Sequence, residues 1–177
     1  IDVVSVTDEG GKAYEYTVNT ENNIKNIKIG DPNTTISGVH EYTIFYKVRN
    51  GIGSFTDFDE IYWNVTGNGW EVPIEKASAT VILPGETKPI SGRVHCYTGF
   101  EGEGFSCNSV VLGDDAKTTF IQSNLQPGQG LTVAVGFSKG AVPNYVYVEH
   151  WYNNKINYYY MAFGVLLLGL VLLLRKI

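Results

Sequence analysis

DFDEIYWNVTGNGW, running from Asp57 to Trp70, is the stretch whose reading decides the fold. Asp57 and Asp59 are short acids that favour turns, so the segment opens as a solvated loop. From Glu60 the chain extends. Ile61, Trp63 and Val65 then fall on one face at the two-residue period of a strand, with Tyr62, Asn64 and Thr66 opposite. An aromatic between two β-branched residues marks the first face as buried. Gly67-Asn68-Gly69 supplies backbone permissive enough for a reversal. Pro73 cannot donate to a sheet ladder and predicts an edge or a new strand start. A competing reading makes Asp57, Asp59 and Glu60 oxygen ligands of a calcium ion. The segment lacks the twelve-residue pattern of a calcium loop, so no metal and no cofactor are expected.

The same alternation recurs on either side. Tyr42, Ile44, Tyr46 and Val48 share a face, as do Tyr14, Tyr16 and Val18. Ala79, Val81 and Leu83 follow, then Leu131, Val133, Val135 and Phe137. Turn-forming clusters of Gly, Pro, Asn and Asp bound each run. Tyr42, Ile44, Tyr46, Trp63, Val81 and Val133 are the expected core. The fold class predicted is mainly β: an antiparallel β-sandwich, immunoglobulin- or fibronectin-like or related, followed by one C-terminal transmembrane α-helix. Composition agrees, with 13% aromatic residues and only 18% charged ones in 177 residues. The formal net charge of -5 excludes a nucleic-acid partner, which needs cations to neutralise phosphates.

The run NYYYMAFGVLLLGLVLLLRKI closes the chain. Its 158–174 part carries no charge and, at ~1.5 Å per residue, has the lower-limit length for a bilayer core of ~30 Å. A buried core helix is the other reading, but such a helix ordinarily keeps a polar face. Tyr158, Tyr159 and Tyr160 suit one membrane interface, with Trp151 and Tyr152 near the headgroups. Arg175 and Lys176 close the other end and predict a cytoplasmic side there. The expected layout is an extracytoplasmic domain over 1–150, lacking its first strands, a juxtamembrane link over 151–157, a transmembrane helix over 158–174, and the start of the cytoplasmic side at 175–177. This puts the chain in the plasma, or inner, membrane.

Cys96 and Cys107 bracket a glycine-rich loop, YTGFEGEGFS. Outside a membrane two such cysteines pair, and the alternative is two reduced, buried thiols. His40, His95 and His150 are scattered and lack carboxylates at ligand spacing. No nucleophile motif or phosphate-binding glycine loop occurs, so an enzyme is not expected, with a hydrolase built from acids and histidines as the alternative. Asn33 and Asn64 each begin an N-x-Ser/Thr acceptor pattern for glycosylation. Trp70, Tyr97, Phe100 and Trp151 are candidate stacking platforms for a carbohydrate.

GVHEYTIFYKVRN, then DFDEIYWNVTGNGWEVPIEKASATVILP, then PGQGLTVAVGFSKG and the apolar run occur in that order. In this the chain resembles, from about Ile29 to its end, the predicted membrane proteins catalogued as domain of unknown function 2207. The resemblance implies an extracytoplasmic N-terminal domain, a membrane helix after it, further β-strands before it and a longer region beyond. It implies no catalytic or ligand residue. The function expected is a membrane-anchored interaction or sensing module of the cell envelope, with the lipid bilayer and other envelope or membrane proteins as partners. A carbohydrate or envelope-polymer binding module and a subunit of a larger membrane assembly are the alternatives.

Overall fold

The computed structural model describes residues 1–142 apart from Asn23, Asp114 and Asp115. These residues form two compact units where the sequence reads as one domain. The first is Ile1–Gly51 and the second begins at Ile52. All strand pairing is antiparallel.

The first unit holds two separate two-stranded sheets. Strand β1 (Asp2–Thr7) pairs with β4 (Thr43–Lys47), and β2 (Tyr16–Glu21) forms a hairpin with β3 (Ile24–Ile29). Val6 is its buried apolar residue. The alternation at Tyr42, Ile44 and Tyr46 predicts a core face, and the structure corrects this: they are 41%, 38% and 37% exposed. Strand β4 does alternate, but its sheet has two strands and all five of its residues are exposed. Period two reports an extended chain; burial requires a second layer as well. Tyr42 instead meets the ring of Tyr14, with centroids 5.0 Å apart.

The second unit holds a four-stranded and a three-stranded sheet. In the first, the order is β5 (Ile52–Ser54), β6 (Asp59–Asn64), β11 (Gly130–Phe137) and β8 (Pro89–Gly99). In the second it is β7 (Ile74–Ile82), β10 (Lys117–Leu125) and β9 (Ser109–Leu112). Val133 and its neighbours Leu131, Val135 and Phe137 from β11 are fully buried with Phe120 and Leu125 from β10. Ile61, Trp63, Val65, Val81 and Ala79 pack against them. Alternation thus places the inner faces of both sheets around one core. Complete burial of a Phe or Leu contributes about 2–3 kcal/mol, so this cluster dominates the unit's stability.

The opening stretch behaves as its period predicts from Glu60 to Val65. The reversal at Gly67, where φ is 72°, carries the chain from one sheet to the other. After Pro73, β7 is indeed an edge strand. Asp59 departs from the expectation of a solvated turn acid. It is 1% exposed, begins β6 and accepts a hydrogen bond from Lys139 Nζ at 3.2 Å. Lys139 Nζ also donates to Ser54 Oγ and to the Phe55 carbonyl. The carboxylate is buried because a cation from the far end of β11 reaches it.

Among the described residues no helix is long and apolar enough to cross a membrane. The apolar run and the expected interface residues Trp151, Tyr152, Tyr158, Tyr159, Tyr160, Arg175 and Lys176 lie outside the described residues.

Candidate binding cleft

The outer face of the four-stranded sheet follows from register. Ala134 lies opposite Tyr62 on β6 and His95 on β8, while Thr132 lies opposite Asn64 and Tyr97. Residues opposite one another share a face, so the central strand presents Thr132, Ala134 and Gly136 between larger neighbours. Small side chains in the middle and rings beside them make a trough. One end is filled. Arg93 stacks its guanidinium 3.7 Å from the Phe58 ring, Phe58 stacks on Phe55 at 4.5 Å, and a Cβ at Gly136 would meet Arg93 Cβ at 2.9 Å.

At the other end the trough opens into a cleft of about 440 Å³ lined by Tyr62, Asn68, Tyr97, Phe100, Glu101, Glu103, Gly130 and Thr132, among others. The rings of Tyr62 and Tyr97 stand 6.4 Å apart, inclined at 37°. His95 lies beside Tyr97, with centroids 6.3 Å apart.

The loop between the cysteines builds one wall. Thr98 and Phe105 exchange two backbone hydrogen bonds, of 2.7 and 3.1 Å. Phe100 N–H donates to Glu103 Oε2 at 2.9 Å, and Glu103 N–H donates to the Phe100 carbonyl at 2.9 Å. Glu103 folds back over Gly99, where φ is 128° and a Cβ would come within 2.6 Å of Glu103 Oε2. Only glycine permits that return. A Cys96–Cys107 disulfide, with Cα atoms 5.6 Å apart, closes the loop at its base.

Asn68 ties the parts together. Its Nδ2 donates to the carbonyls of Gly99 and Gly128, each at 3.0 Å. Gly130 admits no side chain, since a Cβ there would meet the Gly67 carbonyl oxygen at 2.8 Å. From sequence, Gly67-Asn68-Gly69 reads only as a turn. The signal for more is chemical: an amide between two glycines has two donors and no bulky neighbour to keep it from distant carbonyls.

The remaining candidates disperse. Tyr97 and Phe100 line the cleft. Trp70 is absent from its lining, is half exposed, and donates its indole N–H to the Thr66 carbonyl at 2.7 Å. Trp151 lies outside the described residues. Asp57, Asp59 and Glu60 do not converge: Asp57 is exposed, Asp59 is buried, and Glu60 alternates to the opposite face of β6. Among the described residues no three His, Cys, Asp or Glu side chains gather to hold a metal ion. His40 Nε2 and His95 Nε2 lie within hydrogen-bond distance of the Ser37 and Gly92 carbonyls. Asn33 and Asn64 are both exposed.

The described residues define a mainly β, antiparallel protein whose second unit carries a surface cleft on one outer sheet face. The chain belongs to the family described as Predicted membrane protein (DUF2207) N-terminal domain, which it matches over residues 1–137. It is 29% identical over 92 residues to the uncharacterized protein YciQ of Escherichia coli (strain K12), an alignment covering 51% of this chain and 14% of that protein. The chain therefore spans a small part of the length of that relative. No solved structure matches it significantly.

Proposed function

We propose that the chain is a membrane-anchored, extracytoplasmic binding module of the cell envelope, and that its second unit is an immunoglobulin- or fibronectin-like β-sandwich whose working surface is the cleft side of the four-stranded sheet. The observation that carries this is the cleft itself. Tyr62 and Phe100 stay exposed there, on a scaffold fixed by a disulfide, two sterically required glycines and the bridging amide of Asn68. Exposed rings over a rigid floor favour binding, because few side chains lose freedom when a partner arrives. Membership in a family of predicted membrane proteins, the uncharged 158–174 run and Arg175-Lys176 support the anchor and its orientation. The partners in this reading are the bilayer and other envelope or membrane proteins, and the role is binding without catalysis.

The convergence of Tyr62, Tyr97 and Phe100 favours a second reading, in which the cleft takes a carbohydrate or envelope polymer.

Two measurements in cells test the module. A single cysteine at Gln126, in an exposed turn, should react with a membrane-impermeant maleimide on intact cells; reaction only after lysis refutes the orientation. A photoreactive residue at Tyr97 should crosslink to an envelope component, while one at Thr80, on the outer face of the other sheet, should not. Equal yields from both positions refute the assignment of the surface.

A further inference from the structure

Charge is the property of the cleft that the reading above leaves unused. Tyr62, Tyr97 and Phe100 supply three rings, and among the described residues the charged side chains in the lining are Glu101 and Glu103. Aromatic faces carry negative potential and attract cations held within about 6 Å of the ring centre. Carboxylates beside such rings act in the same direction. Glu103 is held in place at the cleft wall, because its Oε2 accepts from Phe100 N–H. Asn68 cannot offer its amide hydrogens to a ligand, since both go to backbone carbonyls. The same sheet face already seats a cation on a ring, where Arg93 covers Phe58 at 3.7 Å. That guanidinium lies at the filled end of the trough, and at the open end the described lining residues supply rings and acids but no cation.

We infer that this cleft binds an alkylammonium group, with Tyr62, Tyr97 and Phe100 against its C–H or N–H shell and Glu101 and Glu103 neutralising its charge. A neutral sugar would leave the charge of Glu101 and Glu103 uncompensated, and the side-chain amide of Asn68 has no donor left for it. An anionic polymer would meet two carboxylates. The ammonium can come from a free quaternary amine or from a lysine side chain, which share this chemistry and differ in size and in hydrogen-bond donors. The inference rests on the proposal that the cleft is the working surface.

Calorimetric titration of the full chain in an uncharged polyoxyethylene detergent, which carries neither ammonium nor sugar, tests it. Choline and N-acetyl-lysine methylamide are the two ammonium probes, and cellotetraose is the neutral one. At least one ammonium probe should bind saturably with Kd of about 1 mM or tighter, and added salt should weaken it. Preference for choline assigns a quaternary amine, and preference for the lysine amide assigns a side-chain amine. Glu101→Gln with Glu103→Gln keeps an acceptor for Phe100 N–H and should weaken binding by about tenfold or more. Tyr62→Leu keeps apolar contact without the π face and should weaken it by about threefold to tenfold. Thr80→Val should leave it unchanged. Absence of saturable ammonium binding up to about 50 mM, far above the Kd expected, overturns the inference. So does ammonium binding indifferent to both cleft variants, or saturable binding of cellotetraose alone. If the ammonium binds but Tyr97 crosslinks no better than Thr80 in cells, the cleft chemistry stands and the wider functional reading falls.

Discussion

Asp59 shows most sharply what a single residue hides from sequence. In DFDE it resembles a turn acid, and nothing nearby announces burial. Its cation, Lys139, is 80 positions away and reaches it only once β11 lies beside β6. Lys139→Met would leave the carboxylate buried without this partner and should lower stability by about 2 kcal/mol in urea denaturation, with the double variant Asp59→Asn, Lys139→Met recovering part of the loss. Little change in the single variant would show that the pair contributes nothing net. Thr118 presents the opposite case. Its side chain is completely buried, and its Oγ1 has no hydrogen-bond partner among the described residues. Thr118→Val keeps the shape and removes the desolvated hydroxyl, so the thermal midpoint should rise, by the equivalent of about 1 kcal/mol. A fall would mean that the hydroxyl is satisfied in solution.

At the scale of elements, alternation located the strands well. Ile61, Trp63 and Val65, then Ala79, Val81 and Leu83, then Leu131, Val133, Val135 and Phe137 all fall on the core side, as the period of the sequence has them. What alternation could not reveal is which strands acquire a covering layer. The runs at Tyr42–Val48 and Leu131–Phe137 look alike on the page, yet one is exposed and the other is the centre of the core. The cleft was legible in fragments. Tyr97 and Phe100 stand out as aromatics in a glycine-rich loop between cysteines, whereas Tyr62 joins them only through the register of three strands. The disulfide holds that loop. Cys96→Ala with Cys107→Ala should cost about 2–3 kcal/mol by freeing the unfolded chain, read as a lower urea midpoint. An unchanged midpoint would mean that the loop's own hydrogen bonds suffice. In the first unit, Asp31 caps a turn. Its carboxylate accepts from Asn33 N–H at 2.8 Å, from Thr34 Oγ1 at 3.0 Å and from Asn33 Nδ2 at 3.2 Å. The Asn33 backbone bond first, then the Thr34 hydroxyl, holds its pKa below the ordinary carboxyl value. A group depressed in the folded state stabilises above its unfolded pKa, and that contribution is lost as pH falls through the folded value. Carboxyl NMR of Asp31 should therefore titrate below an unfolded peptide control, and Asp31→Asn should abolish the acid-range dependence of this turn's amide shifts. Coincident titration of protein and peptide would refute it.

For the molecule as a whole, the division at Gly51 matters most. Among the described residues, the first unit rests on two-stranded sheets with Val6 as its buried apolar residue, whereas the second encloses a core of ten buried side chains. Two-stranded sheets are marginal in water without further packing. Amide hydrogens of β2 and β3 should thus exchange much faster than those of β10 and β11, and equal protection would show that the units unfold together. The three tryptophans, Trp63, Trp70 and Trp151, all follow Gly51, so the first unit contains none. Trp63 packs against the core of the second unit. Indole emission is consequently blind to the first unit, and a denaturation curve followed by fluorescence reports the second alone. Peptide-bond circular dichroism sees the strands of both. The two curves should fail to superimpose, with the dichroism changing first, and the gap between them gives the stability difference of the two units without cutting the chain.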